Sequence, residues 1–305
     1  MKCFTLPSTN KIDNLHVVIW EPDAVPCAVL QISHGMIEYI ERYDEFARFL
    51  NSKGIVVIGN DHLGHGHTAK SDEDLGYFGE GKSATVVDDL HEVTKYAKET
   101  YPGLPYILFG HSMGSFMARR YLSTYGDEID AAIICGTGYT PTVVLKAGLM
   151  VAGIIGAFKG DRHRSNLIKN MAFGSYNKRI PNSTSASDWL SVDKENVQKY
   201  ENDKYCTFKF TVNGYRSLFE VIDFIQKKKN IEKIPKDIPI LLIAGDEDPV
   251  GNYGEGVKKV HETYKSSGLN ANKIVLIKGK RHEILNESDR ENTFEIIYDW
   301  IKNTI

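Results

Sequence analysis

The sequence predicts a doubly wound, mostly parallel α/β sheet flanked by helices, with a helical cap inserted between strands 6 and 7. Three observations carry this reading. Short β-branched runs recur along the chain, helical patterns separate them, and one interval of roughly seventy residues breaks the alternation.

The runs are LHVVIW (15–20), CAVLQIS (27–33), GIVVIGN (54–60), YILFG (106–110), AAIICG (131–136), IPILLIAG (238–245) and KIVLIKG (273–279). The later ones are nearly continuous in apolar residues, as strands buried on both faces of a parallel sheet require. Between Ala84 and Tyr101, residues Val86, Leu90, Val93, Ala97 and Tyr101 fall on one helical face, and Phe294, Ile297, Trp300 and Ile301 do the same near the carboxyl terminus. The segment 215–230 reads as a further core helix, its lysines placed at the negative end of the helix dipole.

The interval 139–212 shows no buried strand and is far longer than an ordinary helix–strand connection. It is expected to form the cap, leaving 1–138 and 213–305 as the core. Its apolar stretch VVLKAGLMVAGIIGAF suits an apolar lining, with Leu149 and Ile154 as lining candidates, a surface that touches membrane transiently, or plain packing. The basic DRHR (161–164) suits phosphate head groups or a solvated turn.

Composition removes several classes. Net charge is −3, which offers no dedicated nucleic-acid surface. Four scattered cysteines without a CxxC pair fit a reducing compartment better than a disulfide framework or a zinc site. Cys135, in a strand, is expected in the core. The amino terminus lacks the apolar core of about 7–15 residues that a secretory signal needs. The stretch nearest to a transmembrane helix, Ala147 to Phe158, is short and rich in glycine. A cytoplasmic location is the expectation; composition leaves the oligomeric state open.

The chemistry centres on Gly110-His111-Ser112-Met113-Gly114, which follows a strand and opens a helix. A serine on so tight a turn is lifted above the sheet, and the helix behind it points free N–H groups at developing negative charge. Serine needs a base, and the base an orienting acid. Two late strands run into loops that offer both: Asp246-Glu247-Asp248-Pro249 and Lys280-Arg281-His282-Glu283. His282 is the candidate base. Asp248 is preferred to Asp246 as the acid, because an acid immediately after the strand sits too close to the sheet end and Pro249 stiffens the chain behind Asp248. The backbone N–H groups of Met36, after the early strand CAVLQIS, and of Met113 are the candidate oxyanion donors. The cluster Asp61, His62, His65 and His67 lacks HExxH spacing and lies in a glycine-punctuated loop, so it reads as a rigid loop with no metal.

Together these stretches resemble the monoacylglycerol lipase and lysophospholipase branch of the α/β-hydrolases, also grouped with the serine-aminopeptidase-like hydrolases. SHGMIEYIERY (33–43), NDHLGHGHT (60–68), FGHSMGS (109–115), AGDEDPVG (244–251) and KRHEILNE (280–287) carry the resemblance over nearly the whole chain. It implies an α/β-hydrolase fold, Ser112, Asp248 and His282 as catalytic triad, Met36 and Met113 as oxyanion donors, no cofactor, and a mobile cap over an acyl tunnel. The implied substrate is a lipid monoester, cleaved through an acyl-enzyme; a short-chain or non-lipid carboxylesterase and an aminopeptidase-type amide hydrolase are the alternatives. Two positions depart from the family pattern. Ser115 stands where a glycine is usual, and HGMIEY replaces HGxGEH, putting Ile37 at a glycine position and Tyr39 at a histidine position.

Overall fold

The computed structural model describes all 305 residues. Its strands are β1 (Lys2–Pro7), β2 (Asn14–Trp20), β3 (Ala28–Ser33), β4 (Ile55–Asn60), β5 (Tyr106–His111), β6 (Ala131–Cys135), β7 (Ile240–Gly245) and β8 (Asn272–Ile277). They form one sheet in the order β1-β2-β4-β3-β5-β6-β7-β8. The pairs β1–β2 and β2–β4 are antiparallel, and the rest of the sheet is parallel.

Each of the seven runs is a strand. The eighth, β1, was not among them, because KCFTLP lies at the sheet edge with its residues exposed or half-buried. An edge strand needs no continuous apolar run. Counting it makes β6 and β7 the strands that flank the long insertion.

The first five helices are α1 (Asp44–Ser52), α2 (Lys82–Thr100), α3 (Met113–Tyr125), α4 (Thr142–Lys159) and α5 (Asn166–Phe173). They are followed by α6 (Lys194–Asn202), α7 (Val212–Ile225), α8 (Lys228–Ile231), α9 (Glu255–Ser266) and α10 (Arg290–Lys302). One face of the sheet is covered by α1 and α10 through Phe46, Leu50, Phe294, Ile297 and Ile301. The other face carries α2, α3, α7 and α9. Helices on both faces bury β3 to β7 completely, which is why those strands need apolar residues at every position.

The helix expected over 215–230 is shifted. Thr211 caps α7 by accepting the Gly214 N–H, and the helix ends at Ile225. Lys227 therefore lies beyond it, and Lys228 and Lys229 open the short α8 rather than closing α7.

Between β6 and β7 there are helices but no strand. Here α4 departs from the expectation of a short apolar stretch. A lysine at 146 interrupts the apolar run in the sequence but not the helix, which spans 18 residues and is long and apolar enough to cross a membrane by length and composition. Only Leu145, Gly148 and Ala152 are buried in it. A Cβ at Gly148 would stand 3.0 Å from the Phe219 ring, and one at Gly156 would stand 3.3 Å from Val212 Cγ1. Small residues thus form the seam on which α4 lies against α7. The bulky ones point out: Val143, Met150 and Phe158 are 79%, 66% and 86% exposed.

The DRHR arginines meet protein. Arg162 donates to the Asp74 carboxylate and stacks over the Tyr77 ring, and Arg164 donates to the carbonyls of Asp72, Glu73 and Leu75. The basic turn is neither free for head groups nor merely solvated, because unpaired loop carbonyls across from it need donors.

Candidate active site

Strand β5 ends at His111 and α3 starts at Met113, so Ser112 alone makes the turn, at φ 53° and ψ −119°. A non-glycine residue held there stores on the order of 1–3 kcal/mol of strain, which the surroundings must enforce. They do so by close approach. A Cβ on Gly114 would stand 1.9 Å from the Ser33 carbonyl oxygen, and one on Gly110 would stand 2.4 Å from the Gly114 oxygen. Both glycines of the motif are therefore required by packing. The Ser112 N–H donates to the Cys135 carbonyl at 2.9 Å, tying the turn to β6. Ser115, where a glycine is usual, donates its hydroxyl to the Ser112 carbonyl at 2.6 Å.

His282 follows β8 and Asp248 follows β7, and both are buried. Their side chains meet at 2.9 Å between His282 Nδ1 and Asp248 Oδ2, while Asp248 Oδ1 accepts the Val250 N–H at 2.8 Å. The Asp246 carboxylate points elsewhere and accepts the Gly279 N–H at 2.6 Å, closing the turn after β8. Of the two acids, only Asp248 reaches the histidine. Gly136 leaves room for the ring: a Cβ there would stand 3.2 Å from His282 Cε1. The His282 ring bonds Asp248, and no hydrogen bond joins it to Ser112 Oγ.

The loop after β3 lies against the serine, since a Cβ on Gly35 would stand 3.1 Å from Ser112 Cβ. Neither the Met36 N–H nor the Met113 N–H bonds to a protein acceptor. Ile37 has φ 58°, the left-handed region that favours glycine. Tyr39 donates to Asp203 at 2.8 Å.

The insertion closes over this end of the sheet. The Trp189 ring lies 5.0 Å from the His282 ring, stacks with Phe173 and meets Tyr176 edge to face. Of the two acyl-lining candidates, Leu149 is half-buried. Ile154 is 53% exposed and stands on the far side of α4 from Ala152, so it faces solvent rather than lining a wall. Helical phase is the reason: two residues apart turns the side chain by about 200°.

The histidine-rich loop is held by side chain to backbone bonds. Asp61 accepts the N–H groups of Ile40 and His67 at 2.8 and 2.7 Å, and burial pushes its carboxyl up to about 7. His62 faces the Ser33 hydroxyl and His65 the Leu63 carbonyl. Burial, reinforced at His62 by the neighbouring His65, pulls these two rings down to about 3 and about 4, so both are neutral. The three histidines of the loop do not converge. A different trio, Cys3, His16 and Glu41, has donor atoms within 4.8 Å of one another, but there His16 is already bonded to Glu41 at 2.9 Å. All four cysteines are free, and Cys135 is buried in β6.

A serine raised on a strained turn, with an acid–histidine pair delivered by the last two strands of such a sheet, defines the α/β-hydrolases. Within that class, residues 24–289 match the Hydrolase_4 family model, described as serine aminopeptidase, S33, and the chain belongs to that family. It is a serine ester hydrolase of the monoglyceride-lipase-like kind. It is 38% identical to the human monoglyceride lipase over 75% of this chain and 68% of that protein. It is 27% identical to a monoglyceride lipase homolog of monkeypox virus over 96% of both chains. Among solved structures, a thermostable carboxyl esterase from Bacillus coagulans, in complex with glycerol, superposes with a TM-score of 0.93. The two are 33% identical over 99% of this chain and 98% of that one.

Proposed function

We propose that the protein cleaves lipid monoesters, a monoacylglycerol or a lysophospholipid, through an acyl-enzyme. Ser112 attacks the ester carbonyl while His282 takes its proton, Asp248 holds the imidazole and stabilises its charged form, and the amides of Met36 and Met113 receive the oxyanion. Water then repeats the sequence on the acyl-enzyme, with His282 as base again. The observation that carries this reading is the His282–Asp248 bond at 2.9 Å, together with a serine turn near which the Met36 and Met113 amides lack protein acceptors. The substrate class rests on the similarity to proteins named monoglyceride lipase.

In this reading 139–212 is the cap, a soluble, cytoplasmic chain meets membrane transiently through the outward face of α4, and Leu149 contributes to the acyl site. A short-chain carboxylesterase is the second reading, favoured by the similarity to the Bacillus coagulans esterase. Hydrolysis of p-nitrophenyl esters, monoacylglycerols and lysophospholipids of graded length separates the two.

Ser112→Ala is expected to abolish hydrolysis and fluorophosphonate labelling with the melting temperature preserved; labelling retained at another serine overturns the assignment. Asp248→Asn should lower kcat by about 10³–10⁴-fold, as loss of the orienting acid does in such triads. Asp246→Asn, which touches only the Gly279 turn, should cost far less.

A further inference from the structure

Beneath the serine lies a buried set of charges that the hydrolytic steps do not use. The Glu38 carboxylate accepts the Gly35 N–H, the Tyr43 hydroxyl at 3.0 Å and the Arg42 guanidinium at 3.0 Å, and it faces His111 Nδ1 at 3.0 Å. The other ring nitrogen of His111 faces the His282 carbonyl at 3.3 Å. Arg42 in turn makes a two-pronged bond to Glu283, at 2.8 and 2.9 Å.

Both nitrogens of His111 thus face acceptors only. A neutral imidazole has one donor and one acceptor, so it would set a lone pair against an oxygen; the doubly protonated ring satisfies both. Charge balance agrees. Glu38 and Glu283 are negative, Arg42 is positive, and a cationic His111 brings this buried group to neutrality. The contacts also fall at particular places in the chain. Gly35 precedes Met36, His111 precedes Ser112, and the third contact is His282 itself.

We propose that His111, held as an imidazolium by Glu38, is a positioning residue that fastens the oxyanion loop, the serine turn and the histidine loop to one another, and that its deprotonation releases them. The inference rests on the assignment of Ser112 and His282 above. The charged and titratable groups facing His111 are Glu38, Tyr43, His34, His282 and Glu283, with Arg42 bonded to both carboxylates. Burial lowers the affinity of His111 for its second proton, but the hydrogen bond and charge of Glu38, with Glu283 and the His282 carbonyl, outweigh it and raise it above the usual histidine range. A raised basic group contributes its stabilisation fully at low pH and loses it as pH climbs through the folded value. The clamp therefore opens on the alkaline side.

The test is kcat and KM for p-nitrophenyl butyrate across pH 5–10, with fluorophosphonate titration and melting curves, on the wild-type chain, His111→Gln and Glu38→Gln. The wild type should show an alkaline decline in kcat. His111→Gln should lower kcat by about 10- to 100-fold, the scale of an ångström-sized misplacement, with KM changed little and the alkaline decline absent. Glu38→Gln keeps an acceptor for Gly35 but removes the charge, so it should move the decline to lower pH. An alkaline decline that persists in His111→Gln, or stays in place in Glu38→Gln, overturns the proposal. If His111→Gln does not fold, the displacement in Glu38→Gln decides alone. Titration to completion at Ser112 in each folded variant separates a failed clamp from a failed assignment of the nucleophile.

Discussion

The two ends of the insertion between β6 and β7 are built on opposite plans. Residues 188–206 are bolted to the core by polar groups. Arg281 donates to the carbonyls of Asp188 and Ser191, and the Glu283 N–H donates to Leu190. The buried Glu287 carboxylate accepts the Ser191 hydroxyl and the Val192 N–H, Asn196 donates to Glu283, and Arg42 stacks on Tyr200. Most of these partners flank His282 in sequence. Helix α4, by contrast, lies against α7 along a seam of small side chains and shows solvent an apolar surface that includes Val143, Met150 and Phe158, with the polar anchors Arg162 and Arg164 just beyond its end. The difference teaches that this insertion is not uniformly loose. Its second half belongs mechanically to the histidine loop, while α4 in its first half keeps an apolar face that the rest of the chain leaves uncovered.

Breaking the polar end should have the larger effect. Glu287→Ala strands the Ser191 hydroxyl and the N–H groups of Val192 and Arg281. Each buried group left without a partner costs about 1–3 kcal/mol. A loss of at least about 2 kcal/mol by denaturant unfolding is expected, with kcat falling alongside it because the same loop carries His282. Asp161→Ala beyond the end of α4 removes only a bond to Arg216 between partly exposed side chains, and should cost under about 1 kcal/mol. Equal losses in the two variants would erase the contrast.

A smaller but more selective effect is expected within α4 itself. Leu149→Asp should lower kcat/KM for a decanoyl ester by at least about tenfold relative to an acetyl ester, since each buried CH₂ contributes about 0.8 kcal/mol. Ile154→Asp and Phe158→Asp, on the outward side, should leave that ratio unchanged and instead weaken co-sedimentation with phosphatidylcholine vesicles. A shifted chain-length ratio in the outward variants would mean that the helix is read from the wrong side.

The smallest effect is on acid stability. His62 and His65 are neutral in the fold, with values near 3 and 4 against an unfolded value near 6.5. A base whose folded value is depressed contributes stability above the unfolded value, and that contribution is lost as pH falls through 6.5 toward 4. Asp61, raised to about 7, works in the opposite sense but is one group against two. The melting temperature should therefore fall between pH 6.5 and 4.5, and His65→Phe, placed among Phe78, Phe208 and Phe210, should blunt that fall.

Much of the layout was legible because it depends on local pattern. Seven strands carry apolar runs, five of them buried at every position, and these stood out, whereas the edge strand Lys2–Pro7 did not. The serine turn was legible because glycine and serine spacing records steric closeness directly. The extent of α4 was not, since a run of apolar letters stops at Lys146 while helical hydrogen bonding continues through it. Nor was the Glu38, Arg42, His111 and Glu283 set. Charged residues scattered over some 245 positions carry no periodicity, and only the fold makes them neighbours. The sequence did hold one unused hint: three of the four sit immediately beside, or within two residues of, Met36, Ser112 or His282.

One residue of the loop after β3 has a consequence for how the enzyme could be reshaped. Ile37 carries a branched side chain through backbone angles that cost an L-residue roughly 1–2 kcal/mol. A glycine in its place would relieve that cost, yet it would also widen the range of directions in which the neighbouring Met36 amide could point. The isoleucine acts as a wedge in a joint, narrowing the sweep of the loop over the serine. Substitutions at 37 should accordingly change how firmly the Met36 amide is held, and amide exchange at Met36 would read that change directly.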